Sequence, residues 1–227
     1  MNRVLALVEG KTEQLFIRQV LAPYLAPTGC YITARIAGDP GHKGGNARWR
    51  RVERDLLGLA KQDRLSDLTT MFDLYALPGD WPGQSEVREK RLKGEAAAIH
   101  IESAIHASLT EKLDGYNGAR FVPHIQLHEF EALLFSDPDQ LAQQTGRGHA
   151  VAPHAEQYER IVHECGSCEQ IDGSFDTAPS RRIKAIAPGY DKIVDGLRVA
   201  QRIGIDRMRE RCPHFDDWIR RLLALAH

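Results

Sequence analysis

Acidic side chains follow three of the segments that the sequence predicts as β-strands. These carboxylates are Glu9 and Glu13 after residues 4–8, Asp73 near the end of residues 68–75, and Glu129 and Glu131 after residues 121–127. Clustered carboxylates repel each other unless a cation or protons intervene, and hard oxygen ligands favour Mg²⁺ or Mn²⁺. Because such an ion neutralises phosphate oxygens and lowers the pKa of an attacking water, the pattern indicates phosphoryl chemistry.

The elements that must position these carboxylates alternate along the first half of the chain. The predicted strands cover residues 4–8, 31–37, 68–75 and 121–127, and the predicted helices cover residues 13–25, 46–65 and 86–113. This alternation predicts an α/β fold with a mostly parallel sheet flanked by helices. Ligands of such sheets bind beyond the carboxyl ends of the strands, so the carboxylates are expected at one edge.

The pattern changes after about residue 137, where predicted strands stop. The remaining helices are predicted at residues 154–164, 180–187, 190–201, 205–211 and 214–226. We therefore predict two domains, an α/β domain over residues 1–137 and a helical carboxyl-terminal region over residues 138–227 that packs on it.

Composition limits the classes of protein to which the chain can belong. Of its 227 residues, 42% are hydrophobic and 27% are charged, with a formal net charge of −1, which excludes a disordered chain and a generally basic nucleic-acid binder. A local basic patch or a bridging metal could still recognise nucleic acid. No signal peptide or apolar run of membrane-spanning length is present, and four cysteines do not suggest a disulfide framework. These features predict a cytoplasmic protein.

Basic side chains concentrate in residues 179–192. Arg181 and Arg182 have the fork geometry that suits phosphate, and Lys184 or Lys192 could stabilise a pentavalent phosphorus. Ser180 is a predicted helix N-cap, which would aim backbone amides at an anion. The alternative is that these side chains form solvated helix faces. The glycine-rich residues 38–45 lack the GxxxxGK[ST] spacing, which argues against a nucleotide-binding P-loop.

Cysteines near the carboxyl terminus raise a second metal chemistry. Cys165 and Cys168 have the CxxC spacing of half a zinc site, and Cys212 with His214 could complete four ligands. The alternative is that Cys212 is a buried core residue, because it lies at helical spacing from core leucines.

Ordered motifs along the chain resemble a known family. The segment VEGKTE (residues 8–13) resembles the opening motif of Toprim domains, in the VEGxTE form of the OLD-family nucleases. The chain is similar to the DUF4276 family, Toprim-like proteins often found with ATPase partners. The matching motifs are VEGKTEQLF, TMFDLYALPGDWPG, HEFEALLFSD, APSRRIKAIAPGYDKIVDG and RCPHFDDWIRRL.

The resemblance assigns roles to individual residues. It implies that Glu9 is the Toprim glutamate, that Glu13 is a second carboxylate, and that Asp73 is the first acid of the DxD motif. Tyr75 stands where the second aspartate belongs, and its protonated phenol is a poor Mg²⁺ ligand. The candidate replacement ligands are Asp80, Glu129 and Glu131, and the candidate phosphate contacts are Lys11, Arg181 and Arg182.

These residues predict a Mg²⁺- or Mn²⁺-dependent nuclease that hydrolyses DNA. The resemblance further implies an ABC- or AAA-type ATPase partner and a role in defence against phage or plasmids. Two alternatives remain open. The first is a catalytically degenerate binding subunit of an ATPase complex, and the second is a small-molecule phosphoesterase that uses the same carboxylates.

Overall fold

The computed structural model describes residues 2–38, 47–113, 117–146, 151–171 and 177–225. Most of the glycine-rich segment, residues 39–46, therefore lies outside the described residues. The chain forms two compact units, a sheet unit (Met1–Gln126 with Trp218–His227) and a helical unit (Leu127–Asp217). These units begin and end at other residues than the two predicted domains, whose boundary at residue 137 stays a prediction.

The sheet unit contains a five-stranded sheet in which every strand pair is parallel. Its strands are β1 (Asn2–Val8), β2 (Cys30–Ile36), β3 (Asp67–Asp73), β4 (Phe121–Val122) and β5 (Ile125–Gln126). The order is β2-β1-β3-β4, and β5 also pairs with β3. β1 lies between two neighbours and is apolar from Val4 to Val8, as expected for a strand covered on both faces. The predicted α/β fold with a parallel sheet and flanking helices is confirmed.

Within the described ranges, five α-helices connect the strands of the sheet unit. They are α1 (Lys11–Phe16), α2 (Ala22–Leu25), α3 (Trp49–Gln62), α4 (Gln84–Glu89) and α5 (Gly94–Lys112). A π-helical turn at Ile17–Leu21 joins α1 to α2, so the helical path continues past Pro23. Pro23 lies in the first turn of α2, a position where its missing N–H leaves no helical hydrogen bond unmade.

The register of the sheet brings three strand ends to one edge. Val8 at the end of β1 lies opposite Ile36 of β2 and Met71 of β3. Backbone hydrogen bonds continue just beyond the strands, from the Ala37 N–H to the Val8 carbonyl and from the Glu9 N–H to the Met71 carbonyl. The residues that follow β1, β2 and β3 therefore start from the same carboxyl edge.

The single helix predicted over residues 86–113 was wrong, because α4 and α5 are separate. Arg91 has a φ of 54° and Gly94 a φ of 52°, both in the left-handed region that a right-handed helix excludes. The Leu92 N–H donates to the Val87 carbonyl and closes the turn between the helices. The break depends on backbone angles that periodicity does not encode.

The strand predicted over residues 121–127 is also interrupted. Pro123 and His124 separate β4 from β5, and Pro123 has no N–H for the ladder. The Thr70 side chain of β3 takes over part of that ladder, because its Oγ1 accepts from the His124 N–H at 2.9 Å and donates to the His124 carbonyl at 3.0 Å.

The helical unit begins with a buried 3₁₀ segment, Phe130–Ser136, and continues with α-helices. These are α6 (Pro138–Thr145), α7 (Val151–Cys165), α8 (Pro179–Ile186), α9 (Val194–Ile203), α10 (Ile205–Arg211) and the first part of α11 (Pro213–Ala224). The predicted carboxyl-terminal helices are confirmed, while α6 was missed. Within the described ranges, no helix combines the length and the apolar character needed to cross a bilayer.

Candidate functional site

The carboxyl edge of the sheet unit brings Glu9 and Asp73 together. Glu9 is the first residue after β1, and Asp73 is the last residue of the neighbouring β3. The Asp73 backbone N–H donates to Glu9 Oε2 at 3.3 Å, so the Glu9 side chain reaches across the end of β3. Both residues are only half-buried, which leaves this edge open to a ligand.

Glu13 lies in the first α1 turn, four residues beyond Glu9. It is 4% exposed, and its Oε2 would lie 3.1 Å from a Cβ placed on Gly10. Gly10 is the residue just before α1, and the absence of a side chain there gives the Glu13 carboxylate its room. The turn thus keeps a second carboxylate near the end of β1.

The carboxylates at this edge fit a metal that needs few protein ligands. Among the described residues, Glu9, Glu13 and Asp73 do not bring three carboxylate oxygens within 4.8 Å of one another. Mg²⁺ is commonly bound through one or two carboxylates, with waters and substrate phosphates completing its shell. Glu9 and Asp73 match that donor set, with Glu13 adding negative charge beside them.

Two residues considered in relation to the second DxD position have other roles. Tyr75, which occupies that position, lies in the 3₁₀ turn Leu74–Ala76 and is 53% exposed. Asp80, a candidate replacement, is exposed, and its Oδ2 accepts from the Trp49 N–H at 3.2 Å at the start of α3. Asp80 therefore satisfies a helix N-terminus.

In the helical unit, a buried carboxylate forms an ion pair with a half-buried lysine. Lys192 Nζ lies 2.9 Å from Glu131 Oε2, and the Tyr190 hydroxyl lies 3.5 Å from Glu131 Oε1. Burial raises the pKa of Glu131 to about 7, while Lys192 lowers it and Glu129 raises it. Burial and the neighbouring Glu131 also raise the pKa of Tyr190 above its usual value. Glu131, a predicted metal ligand, and Lys192, a predicted cationic group for phosphoryl chemistry, therefore form an ion pair with each other.

Glu129 occupies the helix N-terminus that was predicted to hold an anion. α8 begins at Pro179 after Ala178, so the predicted N-cap at Ser180 was wrong. Instead, the Ser180 N–H donates to Glu129 Oε2 at 3.0 Å. A carboxylate of the protein thus fills the place that the sequence assigned to phosphate.

The remaining predicted phosphate contacts lie apart along the chain. Lys11 is exposed in the sheet unit and donates to Gln14 Oε1 at 3.1 Å. In the helical unit, Arg182 donates to the Thr177 carbonyl at 2.9 Å, while Arg181 and Lys184 are exposed on α8. Their roles in phosphate binding stay predictions.

The cysteines do not form a ready-made zinc site. Within the described part of the helical unit, Cys165, Cys168, Cys212 and His214 bring no three ligand atoms within 4.8 Å of one another. All four cysteines of the chain are free thiols. A hydrogen bond from the Cys212 thiol lowers the pKa of Cys168 and raises that of Cys212.

Sequence reasoning missed a buried polar pair behind β5. Glu102 of α5 accepts from the Ile125 N–H at 2.8 Å and lies 3.7 Å from His124 Nδ1. The one available signal was Glu102 itself, a charged residue on the helix face that carries Ile101 and Ile105. Nothing local to His124 indicated that it would be paired.

Comparison with known proteins identifies a family. A family model described as a domain of unknown function, DUF4276, matches residues 8–223, nearly the whole chain. Neither the curated proteins nor the solved structures gave a match.

Proposed function

This chain belongs to the DUF4276 family, and from its own residues we propose that it is a Mg²⁺- or Mn²⁺-dependent nuclease that hydrolyses the phosphodiester bonds of DNA. The observation that carries the proposal is the pairing of Glu9 with the end of β3 at Asp73. Two half-buried acids at the carboxyl edge of a parallel sheet stand where such folds bind ligands.

The acidic residues of this edge have different roles in binding the ion. Glu9 and Asp73 hold the ion, and the parallel pairing of β1 with β3 fixes their spacing. Glu13 adds negative charge from α1, which raises the affinity of the edge for a cation. When bound, the ion supplies neutralisation of the phosphate oxygens and a water of lowered pKa.

Removal of the Glu9 carboxylate tests the proposal. We expect Glu9→Gln and Asp73→Asn to lose Mn²⁺ binding in calorimetry and to lower cleavage of a labelled DNA duplex by more than about 100-fold. Glu95→Gln removes one exposed carboxylate from the first turn of α5 and is the matched control. Unchanged cleavage by folded Glu9→Gln protein would contradict the proposal.

One observation favours a second candidate, a non-catalytic binding subunit of an ATPase complex. The second acidic position of the DxD motif is occupied by Tyr75, and the carboxylate of Asp80 accepts a hydrogen bond from the start of α3. A folded wild-type protein that binds no Mn²⁺ in calorimetry would support this candidate over the nuclease.

A further inference from the structure

α3 carries a concentration of basic side chains that neither the resemblance nor the proposed metal site uses. Arg48, at its N-cap, and residues of the helix line an open cleft of about 890 Å³. The basic residues of this cleft, here called the α3 basic face, are Arg48, Arg50, Arg51, Arg54 and Lys61. They contribute five positive charges to a chain whose net charge is −1.

The two acidic side chains of α3, Glu53 and Asp55, offset only part of the charge of this face. Glu53 Oε1 accepts from Lys112 Nζ at 2.6 Å and from Trp49 Nε1 at 3.1 Å. Asp55 Oδ2 accepts from the Gly38 N–H at 2.8 Å, and Asp55 Oδ1 lies 3.4 Å from a guanidinium nitrogen of Arg54, so this carboxylate offsets the charge of one member of the face. With five basic side chains and two acidic ones, the face keeps a positive local charge.

Three members of the face are available to a polyanion. Arg48, Arg50 and Lys61 are exposed, and none forms an ion pair with another residue in the described ranges. Arg51 has a different role, because its guanidinium packs against Gly38, where a Cβ would lie 2.6 Å from Cζ. Arg51 thus holds the start of α3 against the end of β2.

The fold places the first turn of α3 at the same edge as Glu9 and Asp73. The chain leaves that edge at Gly38, after β2, and returns to the opposite edge by the end of α3, where Asp63 pairs with Arg3 at 2.9 Å. The loop after β3 is tied to the start of α3, because Trp81 Nε1 donates to the Ala47 carbonyl at 2.8 Å.

Aromatic packing strengthens this link between β3 and α3. The Trp81 ring lies 5.2 Å from that of Trp49 in the first turn of α3 and 5.0 Å from that of Phe72, the neighbour of Asp73. The basic face and the paired acids are therefore held together by one buried aromatic cluster of the sheet unit.

We propose that the α3 basic face binds the phosphodiester backbone of duplex DNA and directs one strand to Glu9 and Asp73. The assignment rests on the proposed nuclease function, whose substrate-binding surface it names. Guanidinium forks match phosphate oxygens, and the helix, about 21 Å long, spans about six phosphates of one strand. The duplex fits best because its charge density makes the release of counterions most favourable.

Salt-dependent binding tests the surface separately from cleavage. We compare the wild-type protein with the triple variant R48Q/R50Q/K61Q by fluorescence anisotropy on a labelled duplex, in EDTA and over a salt series. Loss of three phosphate contacts is expected to weaken binding and to reduce the slope of log K against log salt by about 2.7. The control R18Q/R64Q/K90Q removes the same charge from exposed positions outside α3 and is expected to keep the wild-type slope.

The outcomes separate this surface from the nuclease activity. Binding that weakens in the α3 variant and not in the control supports the surface, even if no cleavage is ever detected. Equal salt slopes in both triple variants, or no duplex binding by the wild type, would overturn it. Glu9→Gln protein provides the reciprocal check, because it is expected to lose cleavage and to keep the α3-dependent binding.

Discussion

Glu131 is the residue whose environment departs furthest from that of an ordinary carboxylate. It is fully buried in the helical unit, and burial raises its pKa from 4.5 to about 7 despite the ion pair with Lys192. The folded protein therefore binds the Glu131 proton more tightly than the unfolded chain. The stabilisation from this proton is complete below about pH 4.5 and is lost as the pH rises through about 7.

We expect Glu131→Gln to remove this pH dependence. The wild type should lose up to about 3 kcal/mol of unfolding free energy between pH 5 and pH 8 that the variant retains. Urea denaturation at both pH values, in EDTA to exclude metal, measures the difference. Glu159→Gln, on the exposed face of α7, should show the wild-type dependence, and an equal dependence in Glu131→Gln would contradict the assignment.

The predictability of single residues depends on how far apart in sequence their partners lie. The placement of Glu9 and Asp73 at one edge followed from two strand ends, because parallel strands align their carboxyl ends. The pairing of Glu131 with Lys192 joins residues 61 positions apart and depends on the packing of the helical unit, which no local pattern encodes. The same limit hid the contact between Glu129 and Ser180.

At the scale of the element, two helices carry an interior glycine for different reasons. A Cβ on Gly196 of α9 would lie 2.6 Å from the Tyr190 hydroxyl, whereas a Cβ on Gly58 of α3 would meet nothing within 4 Å. Gly196→Ala should therefore displace Tyr190 from Glu131 and cost about 1–3 kcal/mol. Gly58→Ala should stabilise by about 0.5–1 kcal/mol, since alanine favours the helix.

Thermal and urea unfolding of both glycine variants measures these opposite signs. Equal effects at the two positions would show that the space around Tyr190 does not restrict residue 196.

Hydrophobic periodicity predicted the position of most helices and strands. It was wrong where backbone angles or polar contacts determine where an element ends. The run of residues 4–8 and the spacing of Trp49, Val52, Leu56 and Leu59 correctly placed β1 and α3. The sequence did not identify the arginines of α3 as a binding surface, because alternating charges on an amphipathic helix are typical of a solvated face. The proposed role of these arginines depends on the position of α3, whose start is linked to the loop after β3 by the hydrogen bond from Trp81 to Ala47.

At the scale of the whole molecule, the sheet unit is completed by the last residues of the chain. Trp218 is 1% exposed, donates from Nε1 to Thr69 Oγ1 of β3 at 2.8 Å, and stacks on His124 with ring centroids 4.4 Å apart. The Asn2 side chain of β1 donates to the Leu225 carbonyl at 2.8 Å. Both chain ends therefore hold the same sheet.

Substitutions of Trp218 should lower the unfolding free energy, and the loss should be larger when more of the side chain is removed. Trp218→Phe keeps an aromatic ring but loses the hydrogen bond to Thr69, at a cost of about 1 kcal/mol, whereas Trp218→Ala should cost about 3–5 kcal/mol. Ile99→Ala, at a half-exposed position of α5, is the control and should change the unfolding free energy by less than about 1 kcal/mol.

Truncation extends this argument from one side chain to the completion of the sheet unit. A chain that ends at Asp217 lacks Trp218 and the Leu225 carbonyl, so the buried face of β3 and the start of β1 each lose a partner. We expect the amides of β3 to exchange hydrogen much faster in this chain than in one that ends at Leu225, when both are followed by mass spectrometry. Equal protection in the two chains would show that the sheet forms without its carboxyl-terminal segment. If protection is lost as expected, the sheet that carries Glu9 and Asp73 reaches its native stability only with the segment from Trp218 to Leu225 in place.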